Sequence, residues 1–130
     1  HHPTAVDLAI RSMRQRYPDG RILAVFEPRS NSTRRKVFQG SLRDALSKAD
    51  RVMISEIEDL SKIPAEEQLD VQLLVEEISA MGAAAESAKD VDQIVELLSA
   101  EARSNDVILV LSNGGFGGIH QRLLDALAAR

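Results

Sequence analysis
Apolar side chains near the start of the chain fall at Val6, Ile10, Met13 and Tyr17, with Ala5 and Ala9 beside them, which is one stripe of an amphipathic helix. A helix is predicted over residues 3 to 16. It has two possible starts: Pro3 in the first helical position, where its missing N–H costs nothing, or Thr4 as N-cap with Asp7 three residues on. Pro18-Asp19-Gly20 ends it, and the pattern changes. Ile22 to Phe26 is apolar without alternation, as a strand covered on both faces requires. A polar stretch from Glu27 to Thr33 leads into Val37, Leu42, Ala45, Leu46 and Ala49 at helical spacing, and Arg51 to Ser55 reads as a second strand. Residues 56 to 69 are acidic, broken by Pro64 and longer than the usual crossover loop, and no element is assigned to them. Val71, Leu74, Val75 and Ile78 predict a third helix closed by Gly82, and Ala83-Ala84-Ala85 a short third strand. Asp90 with Gln93 forms a capping box ahead of Val91, Ile94, Val95, Leu98 and Ala102. Val107 to Leu111 is the clearest strand, and Ile119, Leu123, Leu124 and Leu127 mark a last helix.

Helices alternating with short, wholly apolar strands argue for parallel βαβ units. The predicted fold class is α/β, a three-layer α/β/α Rossmann-like open sheet, mostly parallel. Ligands of such sheets bind beyond the carboxyl ends of the strands. The loops to examine are therefore residues 27 to 33, Ser55-Glu56 and residues 112 to 118.

Composition narrows the chemistry. A length of 130 residues predicts one domain, and 44% apolar with 28% charged residues is a globular balance. Lys and Arg number 16 against 20 Asp and Glu, a net charge of −4, so no basic face for nucleic acid is expected. With no cysteine, disulfides and thiolate chemistry are excluded, and no apolar run has the length of a membrane span. A cytoplasmic address is expected. The chain opens on His1-His2-Pro3-Thr4 without a signal segment, as a piece of something longer would, and spacing alone leaves His1 and His2 as a tag remnant.

Two loops carry candidate chemistry. Ser112-Asn113-Gly114-Gly115-Phe116-Gly117-Gly118 lies between the clearest strand and a helix, where backbone N–H groups and the helix dipole suit a phosphate or carboxylate. The glycines match neither a P-loop nor G-x-G-x-x-G, so a purely structural turn is the alternative. His120, one turn into that helix, either faces the same cleft or is an isolated surface histidine. Arg29 follows the first strand, stiffened by Pro28 and close to Asn31, and an arginine so placed can grip a carboxylate with two charge-assisted hydrogen bonds. The alternative is a surface pair with Glu27. Thr33-Arg34-Arg35-Lys36 either extends that positive edge or is a solvated helix start. There is no Ser-His-Asp order, no H-E-x-x-H and no paired acid after the first strand, so no self-contained catalytic centre is predicted.

His1-His2-Pro3-Thr4-Ala5, Ala24-Val25-Phe26-Glu27-Pro28-Arg29-Ser30-Asn31, Ala49-Asp50-Arg51-Val52 and the run from Leu111 to Gln121 resemble, in order, the C-terminal domain of Mur ligases over essentially the whole chain. F-E-P-R-S-N and S-N-G-G-F-G-G-I-H look most like the branch that recycles a murein tripeptide. The sister branch that adds L-alanine typically has F-Q-P-H-R and G-A-G-x-I-G. The resemblance also takes His1-His2-Pro3-Thr4 out of the tag reading.

What this resemblance implies is a three-domain ligase of which residues 1–130 are only the third domain. The parent would use ATP and magnesium to phosphorylate the lactyl carboxylate of UDP-N-acetylmuramate, and the peptide's amine would attack the acyl phosphate. This part would close over the ATP site and receive the peptide. Arg29, Ser30, Asn31, Ser112, Asn113, Gly114, Gly115 and His120 are the implied substrate contacts, and His1 and His2 the implied nucleotide contacts. No metal ligand is assigned, because the G-K-T phosphate loop and metal ligands belong to the central domain. Residues 33 to 39 vary within the family, so Arg34 and Arg35 are given no role. The fragment alone is expected to be inactive. Two alternatives are the L-alanine-adding branch and a free-standing α/β binding module.

Overall fold
A computed structural model of the chain describes residues 3–28, 36–56, 63–112 and 116–129. Helix α1 (Pro3–Arg16) leads into strand β1 (Ile22–Phe26), then α2 (Gln39–Leu46), β2 (Arg51–Ser55), α3 (Val71–Ala80), β3 (Ala84–Ala88), α4 (Val91–Glu101), β4 (Val107–Leu111) and α5 (Ile119–Ala128). The strands form one sheet in the order β3-β2-β1-β4, and all three pairings are parallel. Ala24 faces Val52 on one side and Leu109 on the other, and Phe26 faces Ile54 and Leu111.

β1 explains the layering. Its residues alternate between two cores: Ile22, Ala24 and Phe26 pack with Val6, Ile10, Leu42, Leu46, Leu74 and Ile78 from α1, α2 and α3. Leu23 and Val25 face the other way, toward Ile94 and Leu98 of α4 and Ile119 and Leu123 of α5. All five β1 residues are buried, which is why the strand reads as an unbroken apolar run. Burying each of the larger ones, Ile22, Leu23, Val25 and Phe26, stabilises the fold by about 1.5–3 kcal/mol.

Several expectations are refined. α1 starts at Pro3 rather than being capped by Thr4, and Asp7 is engaged by Lys48 and Arg11 instead of closing a cap. Tyr17 falls beyond the helix, is 42% exposed, and lies under the Arg16 guanidinium. β3 runs later than Ala83-Ala84-Ala85 because, as an edge strand, it needs no apolar run, and its Glu86 takes a salt bridge from Arg51. β4, the clearest strand in the sequence, is also at an edge, so four of its five residues are only half-buried. The capping box forms with a shift: Asp90 accepts from the Gln93 N–H at 3.0 Å, while the Gln93 side chain accepts from the N–H of Lys89. Gly82, at φ +105°, closes α3 as predicted. Within the acidic stretch, Pro64 introduces one helical turn at Ala65–Glu67, and residues 57–62 lie outside the described residues.

The amino ends of the strands are tied by ion pairs. Arg21 donates to both oxygens of Asp106, at 3.2 and 2.7 Å, and Asp106 also accepts from the Arg103 N–H. Asp50 accepts from the Ile22 N–H and from Arg14, each at 2.8 Å. Arg51, with its side chain 12% exposed, reaches Glu101 of α4 and Glu86 of β3. Hydrogen bonding from Arg21 holds the Asp106 carboxyl below its ordinary range, against the opposing effect of burial. Burial pushes the Asp50 carboxyl up, but the Ile22 N–H and Arg14 outweigh it and the net displacement is downward.

The native carboxyls thus bind protons less readily than those of the unfolded chain, which titrate near ~3.9. Their stabilisation is present above that value and is lost as pH falls through the lowered native values. The melting temperature of the chain, followed by circular dichroism, is expected to hold from neutral pH down to about 5 and to fall below about 4. Asp106→Asn should melt lower at neutral pH, by about 1–3 kcal/mol of stability for the donors left without an anionic acceptor, and should show a shallower acid limb.

Candidate functional site
The segments leaving β1 and β2 at their carboxyl ends return through α2 and α3 on one face of the sheet. Those leaving β3 and β4 lead to α4 and α5 on the other. β1 and β4 are neighbours whose connections lead to helices on opposite faces, which is the switch point at which open α/β sheets carry their binding crevice. Both glycine-rich and arginine-bearing candidate loops start at this point. The ladder continues one step past the strands, with the Glu27 N–H donating to the Leu111 carbonyl at 3.0 Å. The Ser112 hydroxyl donates to Glu27 Oε1 across the same gap.

Of the residues singled out from the sequence, Ser112 and His120 are described. Ser112 is half-buried at the base of the crevice, and His120 is exposed in the first turn of α5. Arg29, Ser30, Asn31, Asn113, Gly114, Gly115, His1 and His2 lie outside the described residues, as do Arg34 and Arg35.

Phe116, Gly117 and Gly118 join this loop to α5 through three successive left-handed residues, at φ 47°, 60° and 70°. For a residue with a side chain that conformation costs roughly 1–2 kcal/mol. Phe116 offsets it by burying its ring, 2% exposed, in the core beneath α4 and α5. Gly117 meets a second constraint, since a Cβ there would lie 3.1 Å from Cγ2 of Val91. The carboxyl side of the loop is therefore pinned to the core and to the start of α4.

One strand over, at the carboxyl end of β2, a cavity of about 470 Å³ is lined by Lys36, Gln39, Glu56, Leu69, Asp70 and Leu73, among others. Buried Gln39 holds its wall in a two-way amide contact, accepting from the Asp70 N–H at 3.1 Å and donating to the Asp70 carbonyl at 3.3 Å. The Asp70 side chain in turn caps α3 at Leu73. With Glu66, the lining holds one ammonium, Lys36, and three carboxylates, Glu56, Glu66 and the capping Asp70, so a ligand carrying both signs of charge would find partners. Among the described residues no three His, Asp or Glu side chains come together as a metal-ligand set.

Glu27 and the Gln39–Asp70 contact were not legible as site features. Glu27 figures in the sequence only as a possible partner for Arg29. The available signal was its place directly after a buried strand, the same position that Ser112 occupies after β4.

The model of the Mur ligase, glutamate ligase domain family matches residues 1–114. The chain belongs to this Mur ligase family. It is 38% identical over 128 residues to the UDP-N-acetylmuramate--L-alanyl-gamma-D-glutamyl-meso-2,6-diaminoheptandioate ligase of Haemophilus influenzae, covering 98% of the chain and 26% of that protein. It is 28% identical over 132 residues to the UDP-N-acetylmuramate--L-alanine ligase of Halorhodospira halophila, covering 99% of the chain and 26% of that protein. Among solved structures, the murein peptide ligase of Psychrobacter arcticus superposes with a TM-score of 0.81 at 30% identity, over 100% of this chain and 26% of that one. The Mur ligase chain described above thus spans about a quarter of the length of these proteins.

For this Mur ligase domain the turn geometry makes a direct prediction. Gly117→Ala should lower stability by about 1–2 kcal/mol, because it places a Cβ at positive φ. Adding Val91→Ala should cost less in the Gly117→Ala background than in the wild type, since the 3.1 Å approach is then relieved. Urea unfolding of the four variants in the cycle measures both.

Proposed function
We propose that the chain is the C-terminal, substrate-closing domain of an ATP-dependent amide ligase. The parent would join UDP-N-acetylmuramate to the tripeptide L-Ala-γ-D-Glu-meso-diaminopimelate during cell-wall recycling. The observation carrying this reading is the 38% identity, along nearly the whole chain, to a ligase named for that peptide, against 28% to one named for L-alanine. The crevice between β1 and β4 supports it, because the two loops that differ between the branches leave from its two sides.

In this reading a carboxylate oxygen of the muramate takes the γ-phosphoryl group and ADP departs. The peptide's amine nitrogen then attacks the acyl carbon, the carbon–oxygen bond to phosphate breaks, and the nitrogen gives up a proton. ATP and magnesium would be held mainly by the central domain of the same polypeptide, which with the N-terminal domain lies outside this chain, and the reaction would run in the cytoplasm, where ATP is available. The chain's own contribution is positional. Arg29 would grip a carboxylate of the peptide, with Ser30 and Asn31 beside it. Ser112, Asn113, Gly114, Gly115 and His120 would line the opposite side, and His1 and His2 would approach the nucleotide.

The test is the full-length parent, assayed for phosphate release with the tripeptide and with L-alanine as acceptors. Turnover with the tripeptide and little with L-alanine is expected, and the reverse preference assigns the chain to the sister branch. Within that assay Arg29→Ala should lower ligation efficiency roughly ten- to hundredfold, the equivalent of a charge-assisted contact worth about 1.5–3 kcal/mol. Arg29→Lys should recover only part, because the two-pronged geometry is lost. Unaltered turnover, or a large fall in melting temperature, would return Arg29 to a surface pairing role.

A further inference from the structure
We propose that Glu27 and Ser112 form a latch across the crevice, which makes Glu27 a positioning residue for the loops that receive the substrate. As a statement about catalysis, this rests on the reading of the chain as a ligase domain; as a statement about structure, it does not.

The register puts the two residues together. Phe26 and Leu111 are the last paired residues of β1 and β4, and both side chains enter the core under α1, α2 and α3. Alternation sends the next pair, Glu27 and Ser112, toward the opposite face, where α5 begins. The connections beyond this pair lead to α2 and α5, on opposite faces of the sheet. The contact from the Ser112 hydroxyl to Glu27 Oε1 therefore joins the two segments where they part, one step beyond the backbone bond from the Glu27 N–H to the Leu111 carbonyl. On the β4 side, Ser112 is held by the latch and Phe116 is buried in the core, so both described residues flanking positions 113 to 115 are anchored.

Two arms test the proposal. In the first, amide hydrogen exchange is measured on the 130-residue chain as wild type, Glu27→Ala, Ser112→Ala and the double variant. Each single change is expected to raise exchange of the residue-27 amide, corrected for the intrinsic rate of the residue present, about tenfold, and the double change no further, because the shared contact is lost in every case. In the second, the full-length parent is assayed for kcat and KM toward the peptide with the same variants and Glu27→Gln. Glu27→Ala should raise peptide KM with kcat little changed, Ser112→Ala should raise it at least as much because a proposed peptide contact goes with the latch, and the double variant should match Ser112→Ala. Glu27→Gln should stay close to wild type, since its amide oxygen still accepts from the Ser112 hydroxyl.

Independent, multiplying effects in the double variant would overturn the latch. So would Glu27→Gln behaving like Glu27→Ala, which would mean that the carboxylate charge itself meets a ligand. A parent that ligates no tripeptide would remove the ligase reading and leave the exchange measurement to decide the latch by itself.

Discussion
The constraint on which this structure depends is the position of β1. A strand with parallel neighbours on both sides and helices above and below has no solvent-facing side, so every one of its residues must be apolar. That requirement forces two cores rather than one. It also makes β1 the strand from which the sheet grows in both directions, with β2 and β3 to one side and β4 to the other. A chain that adds strands on one side and then crosses to the other must change the face on which its connections run. The crevice at the carboxyl ends of β1 and β4 is the geometric residue of that change, and no side chain had to be selected to create it.

Charge is distributed along the same axis. At the amino ends of the strands, cations and carboxylates are matched: Arg21 with Asp106, Arg14 with Asp50, Arg51 with Glu86 and Glu101. These pairs link elements distant in sequence, so they close the bottom of the sheet where the short turns leave little apolar surface to bury. At the carboxyl ends, Glu27 and Ser112 sit just past their strands, and the polar groups around the cavity sit on loops and on the first turns of α2 and α3.

Much of this was legible before any coordinates. Strand and helix periods are local properties, and the boundaries of α1, β1, β2 and β4 follow directly from them. β3 was misplaced because half of an edge strand faces solvent: Ala84 to Ala88 holds Glu86 and Ser87, and its defining feature is pairing with β2 rather than composition. The start of α1 was ambiguous for a related reason, since Asp7 could serve a cap locally but is drawn to Lys48 from a distant segment. At the site, a glycine-rich loop and an arginine after a strand announce themselves in one dimension. The latch residues do not, because neither Glu27 nor Ser112 is unusual alone. Their meaning lies in equivalent positions on strands more than eighty residues apart. The cavity wall is similar: Gln39 and Asp70 are ordinary polar residues until the fold places the amide against the backbone.

β4 carries one more implication. It must be apolar on both sides to serve the two cores, yet among the described residues it sits at the margin of the sheet with half its backbone groups turned outward. Such a margin is a template for a foreign strand, and proteins commonly blunt it with charge or proline. Here the strand itself has neither. Its defence is brevity: five residues extend only about 17 Å, with Asp106 at one end and Ser112 at the other. An intruding strand would gain about two or three ladder bonds on that side, too few to repay its ordering. A margin this short limits what a foreign strand can gain by its dimensions alone, which leaves the composition of β4 free to fill the interior.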